Sequence, residues 1–186
     1  MKRIGRNRGV MLLDRLLRPR PAVGAGRALY ARAVEQARAP GLYADLGAPD
    51  TVEGRFELYS LHVVLLLDRL RGHGEAATDV SQALFDTYVK GLDNALREMG
   101  VGDLAVGRKM RKLGEAFYGR GKSYEAAFVA LPDTAQLEAL LARTVYEGAD
   151  PAPLPRLAAY VLGQRAALAG QDLKQLLTGE VAWKAL

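Results

Sequence analysis

Asp50-Thr51-Val52-Glu53-Gly54-Arg55-Phe56-Glu57-Leu58-Tyr59-Ser60-Leu61-His62-Val63-Val64-Leu65-Leu66-Leu67-Asp68-Arg69-Leu70-Arg71 is the stretch on which the fold turns. It opens with Asp50 and, three places on, Glu53, the spacing of a capping box at a helix N-terminus. From Leu61 to Leu67 it is apolar on nearly every helical face except at His62. A helix apolar all round is a buried one, so the spacing predicts a central hydrophobic helix over residues 51–71 with the rest of the chain packed around it. Its longest uninterrupted apolar run, 63–67, falls far below the ~20 residues that cross a bilayer.

Outward from this helix the helical template continues. Ala, Leu, Arg and Glu dominate, and no β-alternating run bounded by hairpin dipeptides occurs. Proline sits at what read as joints: Pro19, Pro21, Pro40, Pro49, Pro132, Pro151, Pro153 and Pro155. Between them the periodicity predicts helices over 10–17, 26–39, 77–99, from Asp103 into a basic stretch, and then 123–130, 134–147, 154–169 and 171–177. The glycines of Phe117-Tyr118-Gly119-Arg120-Gly121-Lys122 predict a charged turn between the helix begun at Asp103 and the one at 123–130. The expected class is all-α. With 186 residues and 49% hydrophobic content, one compact multi-helix domain over 25–186 is expected, preceded by a basic segment over 1–24.

The net charge of +5 is unevenly spread. Residues 1–20 hold seven Lys/Arg against Asp14, and residues 108–122 hold six, among them Arg108, Lys109, Arg111, Lys112 and Lys122, against Glu115. Two basic segments therefore sit on a mildly acidic body, an asymmetry that points to RNA or an anionic lipid surface. The amphipathic 10–17 helix fits a membrane surface and equally fits leucines docked on the core.

Residue types restrict the chemistry. The chain has no cysteine and two histidines, which excludes disulfides, thiolate chemistry and multi-histidine metal sites. Asp79, Asp86 and Asp93 align at heptad spacing, but neighbours in that row lie ~10 Å apart along the axis, too far to grip one metal. Asp86 with Lys90 and Asp93 with Arg97 have the spacing of i,i+4 ion pairs. His62 accompanies no nucleophile elbow, and Gly100-Val101-Gly102 follows no strand, so it reads as a helix stop. No cofactor and no catalytic residue are expected. Aromatics among the charges at Phe117, Tyr118 and Tyr124 suit either RNA or a protein partner.

An ordered set of motifs carries a further signal: residues 50–57, Leu61-His62, Gln82-Ala83-Leu84-Phe85-Asp86, the run Asp93 to Asp103, and Phe117-Tyr118-Gly119-Arg120. Together, over roughly residues 27–170, the chain resembles the ubiquinol-cytochrome c chaperone family. The resemblance implies a helical, non-enzymatic assembly factor that binds newly made cytochrome b. It also implies action near the ribosome, with a small partner subunit or a second copy of the chain. No long leader precedes the match, which implies a bacterial version at the cytoplasmic face of the inner membrane, or the matrix side in a eukaryote. The matched motifs make Arg55, Glu57, His62, Gln82, Asp86, Asp93, Arg97, Tyr118 and Arg120 the candidate client- or partner-binding residues. Arg108, Lys109, Arg111, Lys112 and Lys122 are the candidate ribosome- or membrane-facing ones.

Overall fold

The computed structural model describes residues 21–150 and 153–186, and the helix expected over 10–17 lies outside them. The elements are α1 (Pro21–Ala37), α2 (Pro40–Ala44), α3 (Val52–Leu70), α4 (Glu75–Glu98), α5 (Asp103–Val129), α6 (Ala135–Thr144), α7 (Leu154–Ala169) and α8 (Leu173–Thr178). The chain is all-α as expected, with α3 at its centre and α1, α4, α5 and α7 packed against it. No helix among the described residues is long and apolar enough to cross a membrane.

Helix α3 is capped one residue later than the Asp50–Glu53 spacing suggested. Thr51 is the N-cap, its hydroxyl accepting from the Gly54 amide at 3.0 Å, because the Asp50 carboxylate is drawn outward to Arg55 Nε at 2.6 Å. Leu58, Leu61, Leu65, Leu66 and Leu70 are all buried, each contributing about 2 kcal/mol of transfer free energy.

Helix α1 is already formed at Pro21, five residues before the expected start at Gly26. It crosses α4 unusually closely. A Cβ on Gly26 would lie 2.5 Å from the Leu84 amide nitrogen, and one on Gly91 would lie 2.1 Å from the Tyr30 hydroxyl. Each helix thus gives up a side chain where the other presses in.

The glycine-broken turn at 119–121 does not form, and α5 runs through it as one 27-residue helix. Two interior glycines cost about 1 kcal/mol each relative to alanine. Against that, Phe117, Tyr124 and Phe128 are buried on one face of the same helix, worth about 2 kcal/mol apiece. Burial outweighs propensity, and the helix expected separately over 123–130 is the end of α5. At the α4–α5 junction Gly100, at φ 79°, takes the left-handed position. Its amide bonds to the Arg97 carbonyl, and that of Val101 to the Leu96 carbonyl, the paired pattern of a Schellman stop. Gly102 is the N-cap of α5, and the Asp103 carboxylate accepts from Arg97 Nη1 at 2.5 Å.

The ends of α3 and α7 brace each other. Arg69 donates to the carbonyls of Leu168, in the last turn of α7, and Gln171, just beyond it. Arg165 bonds Asp68 at 2.8 Å while lying 4.5 Å from the Phe128 ring centroid. The C-terminal strand of chain after α8 is clasped by two glutamines. The Gln171 amide group gives to the Ala182 carbonyl and takes from the Ala182 amide, and Gln164 does the same at Lys184.

Candidate functional site

Gln82 and Asp86 lie on the exposed side of α4, and there the structure opens a groove of about 890 Å³ between α1, α4 and α8. Its apolar lining, Ala22, Val23, Val80, Ala83 and Leu177, is buried or half-buried, and its polar lining, Arg27, Asp79, Gln82, Asp86 and Lys90, is exposed. Gln82 Nε2 donates to Asp86 Oδ1 at 2.7 Å, so Asp86, expected to pair with Lys90 one turn on, is held by the residue one turn before. Arg27 and Leu177 went unnoticed in the sequence, because nothing in spacing shows that α1 and α8 flank this face. Ala83 did carry a signal, as part of the Gln82–Asp86 motif.

Glu57 and Arg120, 63 residues apart, meet between α3 and α5. Arg120 Nη2 lies 2.7 Å from Oε1 and Nε 3.1 Å from Oε2, a two-nitrogen clamp with the Glu57 side chain 7% exposed and that of Arg120 27%. The bond to Glu57 raises the Arg120 pKa further above its usual value, so the guanidinium stays charged.

His62 is fully enclosed. Its Nδ1 lies 2.8 Å from the Leu58 carbonyl and its Nε2 2.7 Å from the Tyr160 hydroxyl. The carbonyl can only accept, so Nδ1 carries the proton and Nε2 accepts from Tyr160. Tyr160 in turn accepts from Gln36 Nε2 at 3.0 Å, completing a chain across α1, α7 and α3. Trp183 packs edge-on over the same imidazole, ring centroids 5.1 Å apart. Burial pushes the His62 pKa down to about 4, leaving a neutral ring whose two nitrogens are both engaged.

The remaining candidates stay apart from these. Arg55 pairs with Asp50 at the surface, and Arg97 joins Asp93 at 2.7 Å to Asp103. Tyr118 is 66% exposed on α5 with Lys122 Nζ 4.7 Å from its ring centroid. Arg108, Lys109, Arg111 and Lys112 are exposed on the first half of the same helix. The matched motifs therefore divide into an inner set that braces α3 (Glu57, His62, Arg120) and an outer set made of Arg55 at the start of α3 and the exposed residues of α4 and α5.

The pattern defining the family described as ubiquinol-cytochrome C chaperone matches residues 44–183. Over 163 residues the chain is 28% identical to the ubiquinol-cytochrome-c reductase complex assembly factor 1 of Xenopus laevis, covering 85% of this chain and 80% of that protein. The proteins of the same name from Mus musculus and Homo sapiens are also 28% identical, with 54% and 53% of their lengths matched, so the chain spans about half of each. The crystal structure of the Cbp3 homolog from Brucella abortus superposes with a TM-score of 0.80 at 34% identity, covering 95% of this chain and 96% of that one. With the family pattern spanning residues 44–183, the chain belongs to the ubiquinol-cytochrome c chaperone family.

Proposed function

We propose that this protein is a non-catalytic assembly chaperone that holds newly synthesised cytochrome b during biogenesis of ubiquinol-cytochrome c reductase, at the cytoplasmic face of a bacterial inner membrane. The observation that carries it is the groove between α1, α4 and α8. Apolar side chains line its base and polar ones its rim, the arrangement that accepts an amphipathic segment of another polypeptide. Family membership supports the reductase as the setting, and the apolar helices of a membrane-embedded subunit suit such a groove. The non-catalytic part draws support from the motif residues that most resemble acid-base groups: Glu57 is clamped by Arg120, and His62 is neutral with both nitrogens occupied.

The test is removal of the protein from a bacterium that depends on this reductase, followed by affinity capture of the tagged chain from solubilised membranes. Cytochrome b and reductase activity should fall while other oxidases keep theirs, and cytochrome b should co-purify with the tagged chain. A normal cytochrome b level in the deletion strain would refute the proposal.

A further inference from the structure

The three most exposed large hydrophobic side chains of the described structure all belong to α5: Leu104 at 99%, Val129 at 83% and Tyr118 at 66%. At 3.6 residues per turn, positions 104, 118 and 129 fall within about 40° of one another around the helix and span ~37 Å of its length. Arg111 and Lys122 lie on that same line and Arg108 beside it. Positions 104, 108, 111, 115, 118, 122, 125 and 129 thus form one outward stripe, apolar at Leu104, Tyr118 and Val129, basic at Arg108, Arg111 and Lys122, and acidic at Glu115 and Glu125. The opposite face, with Val106, Phe117, Tyr124 and Phe128, is buried in the protein.

The acidic residues do little to offset this charge. Glu125 is in an ion pair with Arg71 of the α3 C-cap, which leaves Glu115 as the acidic residue on the stripe against Arg108, Arg111 and Lys122. Lys112, about a quarter-turn round the helix from Leu104, adds a further exposed cation within reach of the stripe, and Lys109 is exposed on the far side of it. No ion pair of these five cations occurs among the described residues. Along one shoulder of the stripe Gly107, Gly114 and Gly121 recur every seven residues, and a Cβ on any of them would meet nothing. Packing within the protein therefore does not account for them.

We propose that the outer face of α5 lies flat on an anionic lipid bilayer, with Leu104, Tyr118 and Val129 entering the headgroup boundary and Arg108, Arg111, Lys112 and Lys122 meeting lipid phosphates. Charge selects a polyanion, and the apolar side chains select which one. A leucine and a valine standing fully in water at the two ends of the stripe gain nothing from a phosphodiester backbone, whereas they are stabilised at a bilayer interface. The Tyr118 ring, the one aromatic available to stack on a base, already has Lys122 over it. The inference deepens the proposed location at the membrane and rests on that part of the reading, independently of the client.

The chain has no cysteine, so single cysteines placed by Leu104→Cys, Val129→Cys and, as a control on α8, Lys174→Cys can each carry an environment-sensitive dye. With vesicles of phosphatidylcholine and phosphatidylglycerol, the dyes at 104 and 129 should shift to the blue and the one at 174 should not. Pure phosphatidylcholine vesicles should shift none. Changing Arg108, Arg111 and Lys112 together to Gln should weaken vesicle binding on the order of a hundredfold at low salt, with an unchanged melting temperature and unchanged capture of cytochrome b in detergent. Dyes at 104 and 129 that stay in water on anionic vesicles would overturn the proposal, as would protection of those positions by ribosomal RNA or a protein but not by lipid. Loss of client capture with vesicle binding intact would refute the client and leave this surface standing.

Discussion

Arg120 grips the Glu57 carboxylate through two nitrogens, at 2.7 and 3.1 Å, across the α3–α5 interface. This clamp falls at the very place where two glycines weaken α5. Glu57 is nearly inaccessible, so removing its partner leaves a buried charge without compensation. Arg120→Ala should cost about 3 kcal/mol in urea unfolding, and Glu57→Gln less, because the glutamine oxygen still accepts a bond and Arg120 retains some water. A double change to an apolar pair of similar volume should recover much of the loss.

Stability should fall in mild acid through His62. The folded ring has a pKa near 4 and an unfolded histidine one of about 6.5, so between these values the unfolded chain binds the extra proton. The contribution is present above pH ~6.5 and is lost as pH falls toward 4, amounting to about 3 kcal/mol over that window. In urea titrations from neutral pH to pH 4, His62→Gln should be less stable than wild type at pH 7 yet show a shallower decline. Parallel pH profiles would refute the assignment.

Glycines of α1 and α5 should respond in opposite directions to the same change in size. Gly26→Val forces a branched side chain between the backbones of α1 and α4 and should cost more than about 2 kcal/mol, read as a lowered melting temperature. Gly114→Ala adds a methyl to open space within a helix and should stabilise by about 0.5–1 kcal/mol.

Added positive charge at the groove rim separates client capture from folding. Gln82→Arg with Asp86→Arg alters two exposed side chains, so the melting temperature should hold within a degree or two while co-purified cytochrome b drops about tenfold or more. Equal recovery with wild type would move the client elsewhere on the surface.

The central helix was legible because an apolar run of that kind has one physical outcome, burial, and the Gly100 stop was legible because a left-handed position calls for glycine. Gly119 and Gly121 misled for a related reason. Local propensity is written in the sequence, but the opposing burial of Phe117, Tyr124 and Phe128 depends on helices far along the chain. The Asp50 misreading is similar: an Arg55 one turn on competes for the carboxylate that the spacing assigned to the cap. Helix membership was readable for the motif residues of α3 and α4 but not for Tyr118 and Arg120, which were expected in a turn, and the pairing of Glu57 with Arg120 and of His62 with Tyr160 needed the fold. The groove was the least legible feature, since it is made by α1 and α8 flanking α4 and by no contiguous motif.

The two glutamines that clasp the C-terminal segment address only its backbone, each taking one amide and offering one to alternate residues. In effect they act as a two-rung ladder, a side-chain substitute for a neighbouring β-strand inside an all-helical protein. Such a grip is indifferent to which side chains stand at 182 and 184 and strict about register. Slippage by one residue would break all four bonds and lift the indole of Trp183 off the ring of His62. As Trp183 is the only tryptophan in the chain, its emission reports directly whether that seam is closed.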